Sequence, residues 1–319
     1  MKQILFKILK REAPFFRERV VLSHPKRFAF RQETFYDIQT GILTSNEHSG
    51  FGSSLTSLVG PLLLLNRGKI LPTRIETQHG FRNYCESTSN EPLAELFEKY
   101  ETGNQIKVLS RLDDFVYYPN NTGNFAEIEF SELLVDVLHS YFTPKMEIVE
   151  IVKNFFSDNR LDAGKCLSVF IRGTDGPRQN ISQVCNFARR LYQQTGAECI
   201  LLHSSDASVV AIATYMLRDL QVVLCDLLPL KPSDYSTFDP HPNISPSDCG
   251  RLSLATLMVI ARSGYVVLGQ GYFSLWSVLL RGNCRGVFKF NIEGRLENPV
   301  YVRMLYRLVK SLKKELVCL

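Results

Sequence analysis

Lys165-Cys-Leu-Ser-Val-Phe-Ile-Arg-Gly-Thr-Asp-Gly-Pro-Arg178 sets an apolar, β-branched run directly against a charged turn. Residues 167–171 have the length and composition of a buried strand, and Gly173, Gly176 and Pro177 stop it from continuing. In an open α/β sheet, ligands lie at the carboxyl ends of the strands, so a guanidinium at Arg172 stands where an anion would bind. A second reading of the same residues is that Arg172 pairs with Asp175 to stiffen the turn.

Downstream of this stretch the order becomes regular. Strand-like runs at 166–171, 198–203, 221–225, 265–269 and 286–290 alternate with helical patterns at 181–195, 207–219, 251–262 and 273–281. Such alternation predicts a doubly wound parallel sheet. Parallel strands put all their carboxyl ends on one rim. That rim gathers Arg172 and Asp175, then His203, Ser205 and Asp206, then Asp226, then the turn from Gly269 to Ser274. Ser205 and Asp206 also read as the N-cap of the helix after them, and His203 as a strand-end ring satisfied within the protein. The segment 227–250 reads as a long loop with five prolines, either a lid or a stiffened excursion, and its Asp234, Asp239 and Asp248 are acid/base candidates that no spacing separates. Residues 299–317 read as a lysine-rich amphipathic helix.

The first half is less regular. His48-Ser-Gly-Phe-Gly-Ser-Ser-Leu55 opens a helix on which Leu55, Leu58, Leu62 and Leu65 repeat at helical spacing, with Pro61 expected to kink or split it. The amides of Gly50, Phe51 and Gly52, at a helix N-terminus, form a candidate anion contact. A strand is expected at 69–75 and a helix at 91–100. Two helices at 131–156, broken at Pro144, mark the connection between domains, placed at 1–150 and 151–319.

The chain has 319 residues, 45% hydrophobic and 22% charged, which is the composition of a folded globular protein long enough for two domains. Its net charge of +5, from 37 basic and 32 acidic residues, lacks the concentrated footprint of a nucleic-acid binder. Eight scattered cysteines show no zinc spacing, so no metal site is expected, and Cys166, Cys199 and Cys225 fall in expected buried strands. Asn120, Asn180 and Asn243 head formal glycosylation tripeptides that matter only in a secretory lumen. The basic residues 1–19 carry apolar runs too short to span a bilayer, and no signal peptide is evident. Membrane contact is not expected, and the cytoplasm is the expected location, with a secretory lumen left open if the chain is part of a longer one.

Four segments in order resemble the fucosyltransferases that include the α-1,6-fucosyltransferases, the nodulation-factor fucosyltransferase and the protein O-fucosyltransferases. Ser49-Gly-Phe-Gly-Ser-Ser-Leu55 is similar to the family's N-terminal glycine turn, and Val169-Phe-Ile-Arg-Gly-Thr-Asp175 to its His-x-Arg-Arg-x-Asp motif. Leu201-Leu-His-Ser-Ser-Asp206 and Tyr265-Val-Val-Leu-Gly-Gln-Gly-Tyr-Phe-Ser274 are similar to the strands beside its nucleotide. The resemblance implies a GT-B architecture, two Rossmann-like domains facing a cleft, with the donor on the C-terminal one and the acceptor on the N-terminal one.

By the same resemblance, Arg172 aligns with the arginine that contacts the donor pyrophosphate, Phe170 with the histidine that touches the base, and Ser274, across a gap, with a nucleotide-side serine. Gly173 takes the place of the family's second arginine, and Thr256 that of a carboxylate. The activity implied by this resemblance is an inverting, metal-independent transfer from GDP-fucose, without a cofactor, to a glycan or other hydroxyl acceptor. In that scheme Arg172 neutralises the leaving diphosphate, while Asp175 orients Arg172 or acts as base. Two other classes stay open, a catalytically silent binder of a nucleotide sugar or glycan, and a structural domain with no nucleotide site.

Overall fold

The computed structural model describes residues 27–30, 34–37, 40–45, 50–67, 71–77, 81–86, 91, 93–100, 132–173, 180–230, 241–269, 271–283, 285–290 and 296–297. The described residues between 27 and 145 belong to one compact unit and those from 146 to 297 to another. The basic residues 1–19, the expected C-terminal helix at 299–317 and the acid/base candidates Asp234 and Asp239 lie outside the described residues.

The first unit holds a four-stranded sheet of β1 (Arg27–Phe30), β2 (Thr34–Asp37), β3 (Ile42–Ser45) and β4 (Arg74–Thr77), in that spatial order. The first three strands are antiparallel, whereas β4 runs parallel to β3 after a crossover through α1 (Phe51–Arg67). The helix runs on through Pro61, so of the expected kink or split the split does not occur. Leu58, Leu62 and Leu65 flank the proline and are all 0% exposed. Each such burial contributes about 1.5 to 3 kcal/mol, so together they exceed the roughly 3 kcal/mol that an internal proline costs.

The strand expected at 69–75 begins later, where Thr73 is tied to residues 40 and 41 and Arg74 enters register with Ile42. The helix expected at 91–100 shrinks to α2 (Leu93–Leu96). Its continuation is diverted because Leu96 O accepts from Lys145 N and Glu98 N donates to Thr143 O, a pairing across the Phe97–Pro144 bridge. Helix α3 (Glu132–Tyr141) belongs to this unit, and α4 (Met146–Asp158) begins the next.

The second unit is built on a six-stranded sheet. Its strands are β5 (Cys166–Phe170), β6 (Cys199–His203), β7 (Val222–Leu224), β8 (Tyr265–Leu268), β9 (Val287–Phe290) and β10 (Leu296–Glu297), in spatial order β10-β9-β8-β5-β6-β7. Only β10 is antiparallel to its neighbour. Helices α5 (Ile181–Thr195) and α6 (Ala207–Met216) cover one face, where Val184, Cys185, Ala188, Val209 and Ala213 meet Leu167, Val169, Ile200, Leu202 and Val267 in one apolar cluster. Alternation along β5 turns Ser168 and Phe170 to the opposite face, toward α7 (Pro246–Arg262) and α8 (Tyr272–Arg281). The sheet is therefore doubly wound: from β5 the chain builds outward to β7 and then returns to build β8 and β9 on the other side.

Helix α7 starts five residues before the expected 251. Ser245 caps it, Pro246 occupies its first turn, and the Ser245 hydroxyl accepts from Asp248 N at 3.1 Å while lying 2.7 Å from the Asp248 carboxylate. The residue that reads as a loop proline starts a helix, and Asp248 is a capping residue rather than a loop acid. Helix α6 ends at Met216, three residues before the expected 219, where Leu217 N bonds back to Ala213 O. No helix among the described residues is long and apolar enough to cross a membrane.

Candidate functional site

The switch point of this sheet lies between β5 and β8, the adjacent strands from which the connections leave toward opposite faces. Loops that diverge there leave a crevice at the carboxyl ends, which is where doubly wound sheets hold their ligands. Arg172 and Gly173 follow β5, and Gly271 follows β8. Ile171 is still held in the ladder through its amide to His203 O at 3.0 Å, so Arg172, partly exposed, is the first residue beyond the sheet.

Gly271 precedes α8 with φ 122° and ψ 167°, a conformation that disfavours any side chain, and offers no side-chain cap to the helix. A Cβ placed on Gly271 would lie 3.1 Å from Arg172 Nη1 and 3.6 Å from its guanidinium carbon. The guanidinium therefore lies against the amino end of α8, where unpaired amides and the positive end of the helix dipole favour an anion. In the first turn of the same helix, Ser274 is 0% exposed and its hydroxyl has no hydrogen-bond partner among the described residues. The Arg172 guanidinium thus stands at the amino end of α8, and the unsatisfied Ser274 hydroxyl belongs to the first turn of that helix.

The chain matches no family model. It matches no curated protein. Among solved structures it is similar to NodZ alpha-1,6-fucosyltransferase co-crystallized with GDP, at 13% identity and a TM-score of 0.48 over 80% of this chain and 96% of that one. A second is fucosyltransferase NodZ from Bradyrhizobium, at 12% identity and 0.46 over 81% and 98%. A third is POFUT1 in its apo-form, at 13% identity and 0.29 over 44% of each chain.

Around Arg172 the remaining candidates take distinct places. Phe170 packs its ring on Phe273 of α8, with centroids 5.3 Å apart and planes inclined by 31°. Asp206 is 2% exposed, and its Oδ1 accepts from the Ser208 amide at 2.8 Å and the Ser208 hydroxyl at 2.6 Å, so it caps α6. Gly173 passes directly over it: a Cβ there would sit 2.2 Å from Asp206 Cβ. Ser205, in the bend after β6, is partly exposed. Asp175 lies outside the described residues.

In the first unit, Phe51 is 4% exposed and packs edge-on against Phe81 and Tyr84, at centroid distances of 6.1 and 5.2 Å. Gly50 O accepts from the amides of Ser53 and Ser54, and a Cβ on Gly50 would meet open space. Gly52 is buried, with Gly52 O accepting from the Thr56 hydroxyl at 2.6 Å. No group of three or more His, Cys, Asp or Glu side chains suited to a metal occurs among the described residues.

His203 is 2% exposed, and its Nε2 lies 3.2 Å from Ser168 Oγ, which lies 3.1 Å from Ser263 Oγ. Burial pushes its pKa down to about 3, so the ring is neutral. The unfolded chain protonates His203 near 6.5 and the folded chain only near 3, so between those values the unfolded state binds more protons and stability falls as pH falls. Unfolding free energy should drop by about 1.4 kcal/mol per pH unit below 6.5 from this group alone. Denaturant titrations from pH 7 to 4.5 should show that slope in the wild type and a flatter one in His203→Leu; parallel slopes would contradict the assignment.

Ser274→Ala removes a hydroxyl that no described group satisfies, so its thermal midpoint should stay level or rise slightly. If that hydroxyl serves a bound diphosphate, affinity for a nucleoside diphosphate should fall about five- to tenfold, the worth of one hydrogen bond. Unchanged affinity in a titration would separate Ser274 from the ligand.

Proposed function

We propose that the chain is a metal-independent, inverting glycosyltransferase that transfers fucose from GDP-fucose to a hydroxyl of a glycan or other acceptor. Residues 151–319 act as the nucleotide-sugar unit and 1–150 as the acceptor unit. The observation that carries this reading is the Arg172 guanidinium set against the uncapped amino end of α8 at the switch point, with the unsatisfied Ser274 hydroxyl in the same turn. The similarity of the Arg172 and glycine-turn segments to fucosyltransferase motifs supports the choice of donor.

Sugar transfer breaks the bond between the anomeric carbon and a diphosphate oxygen, and negative charge grows on that oxygen. A guanidinium can take two of the diphosphate oxygens at once, and helix amides can take another, which stabilises the departing charge without a metal. The acceptor hydroxyl attacks from the face opposite the leaving group, inverting the anomeric centre, and gives its proton to a base. Asp175 either takes that proton or orients Arg172.

Calorimetry of the full chain with GDP in the presence of a chelator, followed by a GDP-fucose turnover assay, tests this. Binding together with release of GDP is the expected result, and absence of binding would overturn it. Binding without turnover would favour a second reading, a silent nucleotide-sugar binder. Gly173 speaks for that alternative: it stands where the resembled family has a second arginine, and its closeness to Asp206 leaves no room for one.

A further inference from the structure

At the end of the same sheet remote from Arg172, Cys166 opens β5 and Cys199 opens β6, and the two are Cα partners in the parallel ladder. Both are free thiols, and their sulfurs lie 3.1 Å apart. Paired residues on neighbouring strands are separated by about 4.8 Å, inside the roughly 4.4 to 6.8 Å that a disulfide spans. An S–S bond of about 2.05 Å therefore requires the sulfurs to close by only about 1 Å, which small side-chain rotations supply.

Each cysteine is 1% exposed, yet both form part of the wall of a half-open cavity of about 440 Å³, together with Arg160, Asp162, Tyr192 and Glu198. A small reagent thus has a place to sit beside them, and Arg160 offers a cation to a carboxylate-bearing one.

We propose that Cys166 and Cys199 are a dithiol site that a low-molecular-weight disulfide, entering through this cavity, oxidises to an intramolecular disulfide. In the neutral pair the Cys199 S–H donates to the Cys166 sulfur and the Cys166 S–H to Asp162 O, each at 3.1 Å; loss of the Cys199 proton leaves a thiolate toward which the Cys166 S–H can turn. That hydrogen bond holds Cys199 below the ordinary thiol value and raises Cys166, so Cys199 attacks first. Its sulfur bonds to one sulfur of the reagent and expels the other half as a thiolate, which takes up a proton. Cys166 then loses its proton to solvent, attacks the Cys199 sulfur and expels the second half. Two protein thiols are oxidised by two electrons, and one reagent disulfide is reduced to two thiols. The bond ties the starts of β5 and β6 and closes a loop between positions 33 apart in the chain.

The test is to equilibrate the full chain in a buffer of oxidised and reduced glutathione, block free thiols under denaturing conditions, and map the peptides by mass. A linked pair of peptides carrying Cys166 and Cys199, a raised thermal midpoint and reversal of both by dithiothreitol are expected. In Cys199→Ser, Cys166 should stay unmodified at glutathione ratios that oxidise the wild type. Recovery of both cysteines as blocked free thiols, a glutathione adduct that never closes, or linkage of either residue to another cysteine would each overturn the proposal, and these readouts on the wild type need no variant to fold.

Discussion

Arg172→Ala should lose GDP-fucose turnover by about a hundred- to a thousandfold, the effect seen when one preorganised donor to a developing anion is removed. Its circular dichroism and thermal midpoint should stay close to wild type. The side chain is partly exposed, follows the last ladder hydrogen bond of β5 and lies against Gly271 at the rim of the sheet. Arg172→Lys should recover only part of the activity. An ammonium retains the charge but cannot present two parallel N–H groups to a diphosphate. Full turnover in Arg172→Ala would remove the basis of the proposed chemistry.

Gly173→Ala should lower stability by about 2 to 4 kcal/mol, although it adds one methyl group. The added carbon would lie 2.2 Å from Asp206 Cβ, so either the β5–α5 connection shifts or the Asp206 cap of α6 is pulled from Ser208 and Val209. The cause is separable by a double-mutant cycle. Asp206→Gly keeps a tolerated N-cap residue while removing the colliding carbon, at a cost of a few tenths of a kcal/mol. Chemical denaturation should therefore show most of the Gly173→Ala penalty vanishing in the Asp206→Gly background. An equal penalty in both backgrounds would mean that the collision is not its source.

Much of the second unit is legible in the chain because its signals are local. Helix α5 covers the expected 181–195, bounded by Asn180, whose side chain accepts from Gln183 N at 3.2 Å, and by Gly196 at φ 67°. Strands β5, β6 and β8 fall within a residue of expectation, because short apolar runs between turn residues read the same in the chain as in the sheet. Expectation and structure part where a local signal has two meanings. Pro246 is a loop residue by composition but starts α7, and Pro61 is a breaker by propensity but is overridden by the buried leucines around it.

The order and kind of the elements from β5 to β9 are written in the chain, though not the short antiparallel β10, and with them the rim on which Arg172, His203, Asp206 and Ser274 stand, since period and punctuation are properties of neighbouring residues. Which of these side chains meet is settled by the folded sheet alone. Arg172 touches Gly271 across ninety-nine positions of chain because β8 inserts beside β5, whereas Asp206 is taken up by its helix and His203 by Ser168. Cys166 and Cys199 likewise become a pair only through strand register. Such contacts depend on how strands are ordered in space, and strand order comes from packing the whole sheet between its two helical layers rather than from any one stretch of the chain.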